Sequence, residues 1–296
     1  MDLNWLEDFL ALVASGNFSR AAEARHMTQP AFSRRIRALE DWVGVPLFDR
    51  DGHPVGLTEA GSRFHPAAAD LLRLLGEARD AALDAAATAA ATLRFAATHV
   101  LSSRFFPAWL RRFETGTAPG AIRLMSENIQ ACELLMVQGK AQFLLCHHHP
   151  AAASGLDPAR FPSIKVGEDR LLPVSAPDGL GGARHRLVPG AEPVPYLAYS
   201  TESGMGRIVR AAFTDAETRQ LHPVVTSHLA GALRAMAEDG RGIAWLPHSL
   251  IAEDLAQGLL IPAADDGWTI PVEIRLFRPR ARQTPAAEQF WSLVTA

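Results

Sequence analysis

Residues 28–40 read TQPAFSRRIRALE, with three arginines in four positions beside a regular row of apolar side chains. Phe32, Ile36, Leu39 and Val43 recur at steps of four, three and four, which is one face of an α-helix. Arg34, Arg35 and Arg37 fall off that face and are expected to project outward. Thr28 is placed to cap the helix, and Pro30 is tolerated in its first turn. A helix of this kind is either solvated on its outer side or seated in a groove of DNA.

The flanks decide between the two. Upstream, Trp5, Leu6, Phe9, Leu10 and Val13 predict a helix over 3–14, stopped by Gly16 and Asn17. Ser19 is the expected cap of a short second helix, in which Ala21 and Ala22 allow close packing. Downstream, Gly44 ends the arginine-bearing helix, and VPLFDRDGHPVGLTEAG (45–61) reads as a small hairpin. Three short helices and a hairpin make a winged helix-turn-helix.

The bulk numbers neither demand nor forbid a nucleic-acid partner. The chain has 296 residues, 48% hydrophobic and 21% charged, with a net charge of -3. Residues 1–65 hold seven Arg against nine Asp and Glu, whereas 18–37 hold five Arg and one Glu. Screening at about 8–10 Å makes the local patch the relevant one. The first residues carry acids and no basic n-region, and no apolar run reaches membrane-span length, so a cytoplasmic protein is expected. Two cysteines cannot build a disulfide framework.

Beyond Leu57 the texture changes twice. An Ala-rich helix is expected from Thr58 to about Ala91, with Leu71, Leu72, Leu75, Ala78 and Ala82 as an apolar pairing face. After Leu93, strand-like and helix-like segments alternate, which argues a mostly parallel α/β architecture. The Gly/Pro-rich stretch 173–195 is expected to be a loop.

Five blocks now stand in order: Phe18-Ser19-x-Ala21-Ala22, Thr28-Gln29-Pro30-Ala31-x-Ser33, Ile36-x-x-Leu39-Glu40, Gly44-x-x-Leu47-Phe48-x-Arg50 and Leu57-Thr58-x-Ala60-Gly61. At this spacing they resemble the DNA-binding domain of LysR-type transcriptional regulators. The resemblance implies an α+β multi-domain chain. It would comprise a winged helix-turn-helix at 1–62, a linker helix that pairs subunits at 63–91, and a two-lobed α/β effector domain at 92–296. That domain would be like type 2 periplasmic binding proteins, with lobe I at 92–165 and 268–296 and lobe II at 166–267. It further implies a homotetramer, promoter DNA, a small-molecule effector and RNA polymerase as partners, and no cofactor. The family usually has Leu where this chain has Arg25. Arg25, WLEDFL (5–10) and FFPAWL (105–110) are similar to a subgroup containing hypochlorite-responsive regulators. In that subgroup methionine oxidation matters, and a stress-response role would follow. The methionines are Met27, Met125, Met136, Met205 and Met236 besides Met1, and Met125 and Met136 fit gap-filling in a core.

Residue by residue, the resemblance carries Gln29, Pro30, Ser33 and Arg34 over as base or phosphate contacts, since Gln pairs with adenine and Arg with guanine. Arg37, Ser19 and Arg20 carry over as phosphate contacts, and Arg50 as a wing contact unless Asp49 or Asp51 holds it. The effector candidates follow strand ends: Thr98, His99, Ser102 and Ser103, then Asn128, His147, Thr201 and Ser203, then Ser227 and His228. Plain helix capping is the rival reading for each serine. Cys146-His147-His148-His149 invites a metal, but alternation in a strand leaves at most two side chains on one face, so no metal is expected. A redox pair of Cys132 and Cys146 is a minority reading in a reducing cytosol. Sensing through methionine or cysteine oxidation is the alternative to a ligand. An enzyme is not expected, because no nucleophile elbow, Walker motif or dinucleotide loop is present. A solute-binding protein does not account for the arginine helix.

Overall fold

The computed structural model describes residues 2–50, 54–86, 92–113, 121–188, 192–214 and 218–296, with backbone alone at 81–86. The chain divides into two compact units, Met1–Ala89 with Val137–Lys140, and Ala90–Met136 with Ala141–Ala296.

The first unit begins with α1 (Leu3–Ser15), α2 (Phe18–Ala24) and α3 (Gln29–Val43). A two-stranded hairpin follows, β1 (Phe48–Asp49) antiparallel to β2 (Gly56–Leu57), and then α4 (Glu59–Ala86). Gly16 and Gly44 end α1 and α3 in the left-handed conformation, which costs glycine little. Phe32, Ile36 and Leu39 are fully buried against Leu6, Phe9 and Leu12 of α1. Two caps differ from expectation. Asn17, not Ser19, caps α2, accepting from the N–H groups of Ser19 and Arg20. Thr28 occupies the cap position of α3 without a side-chain bond.

The charges at this core are paired, although Asp8 Oδ2 and Arg35 Nη2 make no hydrogen bond among the described residues. Asp8 is fully buried on α1. Arg25 donates to it at 2.8 Å and also reaches Glu7, and Arg35 lies 2.9 Å from its second oxygen. Arg25 is thus paired where the family carries an apolar residue, and Arg35 points inward, contrary to the outward projection expected of it. Burial opposes the Arg25 charge, but the hydrogen bond to Asp8, with Glu7, outweighs it and raises the pKa.

The spacing of the wing also has a cause. Glu40, at the end of α3, accepts from the backbone N–H groups of Leu47 (2.9 Å) and Phe48 (3.2 Å) and pairs with Arg50. Thr58 caps α4 through the N–H of Gly61, and its hydroxyl donates to the carbonyl of Pro46. A Cβ on Gly61 would sit 2.0 Å from the carbonyl oxygen of Leu47, so only glycine closes this corner. Of the expected pairing face on α4, Leu72 is buried in the helix-turn-helix core, whereas Leu71, Leu74 and Leu75 are exposed. The Ala82 side chain lies outside the described residues.

The second unit contains β3 (Leu93–Thr98), α5 (Phe106–Leu110), β4 (Ile122–Glu127), α6 (Ile129–Val137), β5 (Phe143–His148) and β6 (Ser163–Ser175). Then come β7 (Val194–Tyr199), α7 (Gly204–Ala212), β8 (Leu221–Ser227), α8 (Ala230–Glu238), β9 (Ala244–Pro247), α9 (His248–Gln257), β10 (Ile261–Pro262), β11 (Ile270–Phe277) and α10 (Pro285–Thr295). The sheet is mixed rather than mostly parallel. β3 pairs parallel with β4 and β5, but β6 runs antiparallel to β9, β10 and β11, and β7 and β8 form a separate parallel pair. Two cores result, as in a two-lobed fold. One gathers Phe95, Trp109, Phe143, Leu276 and Phe290, and the other Leu197, Ile208, Leu233, Trp245 and Trp268. The paired strands β6 and β11 run from one to the other: Val166 and Ile274 pack in the first, Leu171 and Val272 in the second. The stretch expected to be a loop from 173 thus begins inside β6. Among the described residues no helix is long and apolar enough to cross a membrane.

Candidate nucleic-acid interface and ligand cavity

The outer side of α2 and α3 presents an exposed polar face. Ser19, Arg20, Gln29, Pro30, Arg34 and Arg37 are exposed and Ser33 is half-buried. Gln29 and Ser33, one turn apart, are joined by a hydrogen bond of 3.1 Å. Arg20, Arg34 and Arg37 have no ion-pair partner among the described residues. Among the described residues this face therefore carries cations without an ion-pair partner, while Arg25 and Arg35 serve the interior. Arg50 is exposed at the wing, held by Glu40 and lying 5.7 Å from the centre of the Phe18 ring. Its described partner, Glu40, is thus on α3; Asp51, also weighed from sequence, lies outside the described residues.

In the second unit, a cavity of about 40 Å³ opens at the carboxyl ends of β3, β4, β5, β7 and β8. Six sequence candidates line it: Thr98, His99, Asn128, His147, Ser203 and His228. Ser102, Ser103, Thr201 and Ser227 do not. The Ser102 and Ser103 hydroxyls turn back to the carbonyl of His99, and Ser227 accepts from the N–H of Leu229. Asn128 and Ser203 are also caps, accepting from Ala131 and Gly206. Val100, Ile129, Tyr199, Met205 and Ala230 supply the apolar wall. Tyr199 and Met205 had no signal of their own, because inward residues of a strand and a helix look like ordinary core. Here the Tyr199 hydroxyl reaches the Met205 sulfur at 3.4 Å.

The rim is imidazole-rich. The rings of His99 and His228 are 6.1 Å apart, and His99 Nδ1 is 3.0 Å from the Ser126 hydroxyl. Burial lowers the His99 pKa, Glu127 opposes that shift, and the His228 charge adds to it. At the floor, His147 Nε2 lies 3.2 Å from Asp169, which also accepts from the hydroxyl and backbone N–H of Ser249. Burial works to raise the Asp169 pKa, but the bonds from His147 and Ser249 outweigh it and hold it low. The two thiols are unpaired and buried. Desolvation pushes Cys132 up to about 12 and raises Cys146 as well, so neither is poised as a thiolate. Among the described residues no three His, Cys, Asp or Glu side chains gather as a metal ion requires.

Comparison with known proteins covers both units. Residues 3–62 match the bacterial regulatory helix-turn-helix protein, lysR family, and residues 86–296 match the LysR substrate binding domain. The HTH-type transcriptional regulator YjiE of Escherichia coli is 34% identical over 294 residues, which are 98% of this chain and 93% of that protein. The full-length structure of HypT from Salmonella typhimurium, a hypochlorite-specific LysR-type transcriptional regulator, is 33% identical. It covers 100% of this chain and 99% of its own, at a TM-score of 0.58. Vibrio fischeri DarR in complex with DNA is 32% identical over 99% of this chain and 98% of that one, at a TM-score of 0.57.

Proposed function

Because the chain belongs to the LysR family and is thereby a DNA-binding transcriptional regulator with an effector-binding domain, we propose specific roles for its residues and a route from effector to DNA. Gln29, Pro30, Ser33 and Arg34 meet base edges in the major groove, Ser19, Arg20 and Arg37 meet phosphates, and Arg50 is the wing contact. The observation that carries this is the division among the arginines of the helix-turn-helix: Arg25 and Arg35 are committed to Asp8, whereas Arg34 and Arg37 stand exposed without an ion-pair partner among the described residues. Residues 1–62 form the DNA-binding domain, 63–91 the linker through which subunits pair, and 92–296 the effector domain, with lobe I at 92–165 and 268–296 and lobe II at 166–267. A small molecule in the cavity, touching both lobes, changes their angle and re-spaces the DNA-binding domains of a cytoplasmic homotetramer, with RNA polymerase as the downstream partner. The protein is a regulator and not an enzyme.

Fluorescence-anisotropy titration against DNA upstream of its own gene tests this reading. The expected result is tight binding that weakens steeply with salt and by about ten- to a hundredfold in Arg34→Ala. Arg34→Ala binding like wild type overturns the assigned interface. One observation favours a second reading, in which an oxidant replaces the ligand: the Met205 sulfur lines the cavity, and the structural relative HypT is described as hypochlorite-specific. Buried, neutral thiols make methionine the better target than cysteine. Repeating the titration with hypochlorite separates the two readings: an oxidant effect abolished in Met205→Leu supports the second, and no effect excludes it.

A further inference from the structure

Two helices meet beside the cavity. α6 joins β4 to β5, in the sheet that carries the first core, and α7 gives Met205, Ile208 and Val209 to the second. Their first turns touch: a Cβ on Gly204 would lie 3.2 Å from that of Ile129. Both residues line the cavity. One turn further along each helix, Arg207 and Glu133 form a two-pronged ion pair. Nη1 donates to Oε1 at 2.7 Å and Nη2 to Oε2 at 2.9 Å. Oε1 also accepts the N–H of Gly155, in the segment after β5, at 2.8 Å, so the carboxylate is fixed from its own side. The Glu133 and Arg207 side chains are 11% and 22% exposed, which keeps the pair largely clear of solvent screening. A fork of this kind sets direction as well as distance, and parting it leaves a carboxylate poorly hydrated. The cavity, at about 40 Å³, has room for about three waters. Any larger molecule must part its walls, and the Ile129–Gly204 contact is one of them.

We propose that the Glu133–Arg207 pair is a latch that sets how far the cleft opens, and that an effector works against it by wedging Ile129 away from Gly204. This rests on the cavity being the effector site and on the lobe motion proposed above. The ion pair lies one turn along the same two helices, so parting the contact strains it. An effector then binds only the fraction of molecules in which the latch is released, and its apparent affinity falls by that fraction. Weakening the latch imitates the effector and opens the empty protein.

The chain's two cysteines read the opening. Cys146 lines the cavity, whereas Cys132 is fully buried on α6 and does not. Iodoacetamide labelling of the full chain, followed site by site by mass spectrometry, therefore separates cleft opening from unfolding, which exposes both thiols. Glu133→Gln, which keeps an acceptor for Gly155, and Arg207→Met, made from the other helix, are each expected to speed labelling of Cys146 by about tenfold and to spare Cys132, the scale of one charge-assisted hydrogen bond. Ile129→Trp, a built-in wedge, is expected to do the same, and combined with Glu133→Gln to add little. DNase I footprints on DNA upstream of the protein's own gene are expected to shift in the same direction in all three variants. Unchanged labelling of Cys146 in Glu133→Gln and Arg207→Met overturns the latch, as does an equal rise at both thiols. Independent, multiplying effects of Ile129→Trp and Glu133→Gln overturn the coupling through Ile129. A selective rise at Cys146 with wild-type footprints upholds the latch and removes the route from cleft to DNA proposed above.

Discussion

In the helix-turn-helix unit a fully buried aspartate, Asp8, lies under two arginines, and Glu40 is saturated by two backbone N–H groups and Arg50. In the cavity of the other unit, His147 Nδ1 and the Thr98 hydroxyl are equally hidden and meet nothing among the described residues. The contrast separates two uses of buried polarity. Paired with arginines, it ties α1 to the end of α2 and to α3 even though Asp8 Oδ2 and Arg35 Nη2 make no hydrogen bond among the described residues. Without a protein partner, it is left for water or a bound molecule to meet.

The largest expected effect breaks the matched region. Asp8→Ala strands two guanidiniums that are about a quarter exposed, and should cost about 3 kcal/mol, at the low end for a buried network because of that exposure. Urea denaturation followed by circular dichroism reads it. His147→Gln in the same assay should cost less than about 1 kcal/mol. Equal losses in the two variants would erase the contrast.

Next comes the split within α3. Arg34→Ala should weaken promoter binding by about ten- to a hundredfold with an unchanged melting temperature. Arg35→Ala should do the reverse, lowering stability by about 1–2 kcal/mol through the charge it leaves on Asp8. Thermal melts and anisotropy on both variants sharpen the distinction, and matching profiles would undo it.

A smaller effect concerns Arg25, where the usual residue is apolar. A double-mutant cycle of Arg25→Leu and Asp8→Asn should give a coupling of about 1 kcal/mol. Additive losses would mean that Arg25 is a bystander.

The smallest effect is in pH. The folded-state pKa of His99 lies below its ordinary 6.5, chiefly through burial, and that of His148 is lowered too, by burial and Arg275. As pH falls through 6.5 the unfolded chain takes up protons first, so stability is full above that value and declines below it until the folded rings protonate. His99→Gln should flatten the decline in the urea midpoint of the second unit, and an unchanged slope would assign it elsewhere.

Much of the first unit was legible because its signals are local. The Phe32–Ile36–Leu39 stripe, the stops at Gly16 and Gly44 and the wing follow from helical period and turn chemistry. Ser19 was mistaken for the cap because Asn17, two positions earlier, also served as an apparent helix stop. Helix phase places Arg35 outward, and it cannot show that a long side chain bends to a buried carboxylate on a neighbouring helix. In the second unit the strand ends were legible, and with them Thr98, His99, Asn128, His147, Ser203 and His228 at the cavity. β6 was not. Its first half is half-exposed and charged, and its end is almost wholly buried, so it shows neither alternation nor a continuous apolar run. Its antiparallel partners lie up to about a hundred residues away, beyond any local pattern.

The register of that strand has a mechanical meaning. Gly167 opposes Ile274 and Lys165 opposes Arg275, so β6 spends one more residue, Val166, than β11 does over the same span. The lobes are therefore joined by a hydrogen-bonded ribbon with one edge longer than the other, and not by two independent strings. A ribbon of that kind resists sliding in its own plane and yields to torsion about its length. For the lobe motion proposed above, such a connection favours rotation about the length of the ribbon over sliding, so the output is a torque.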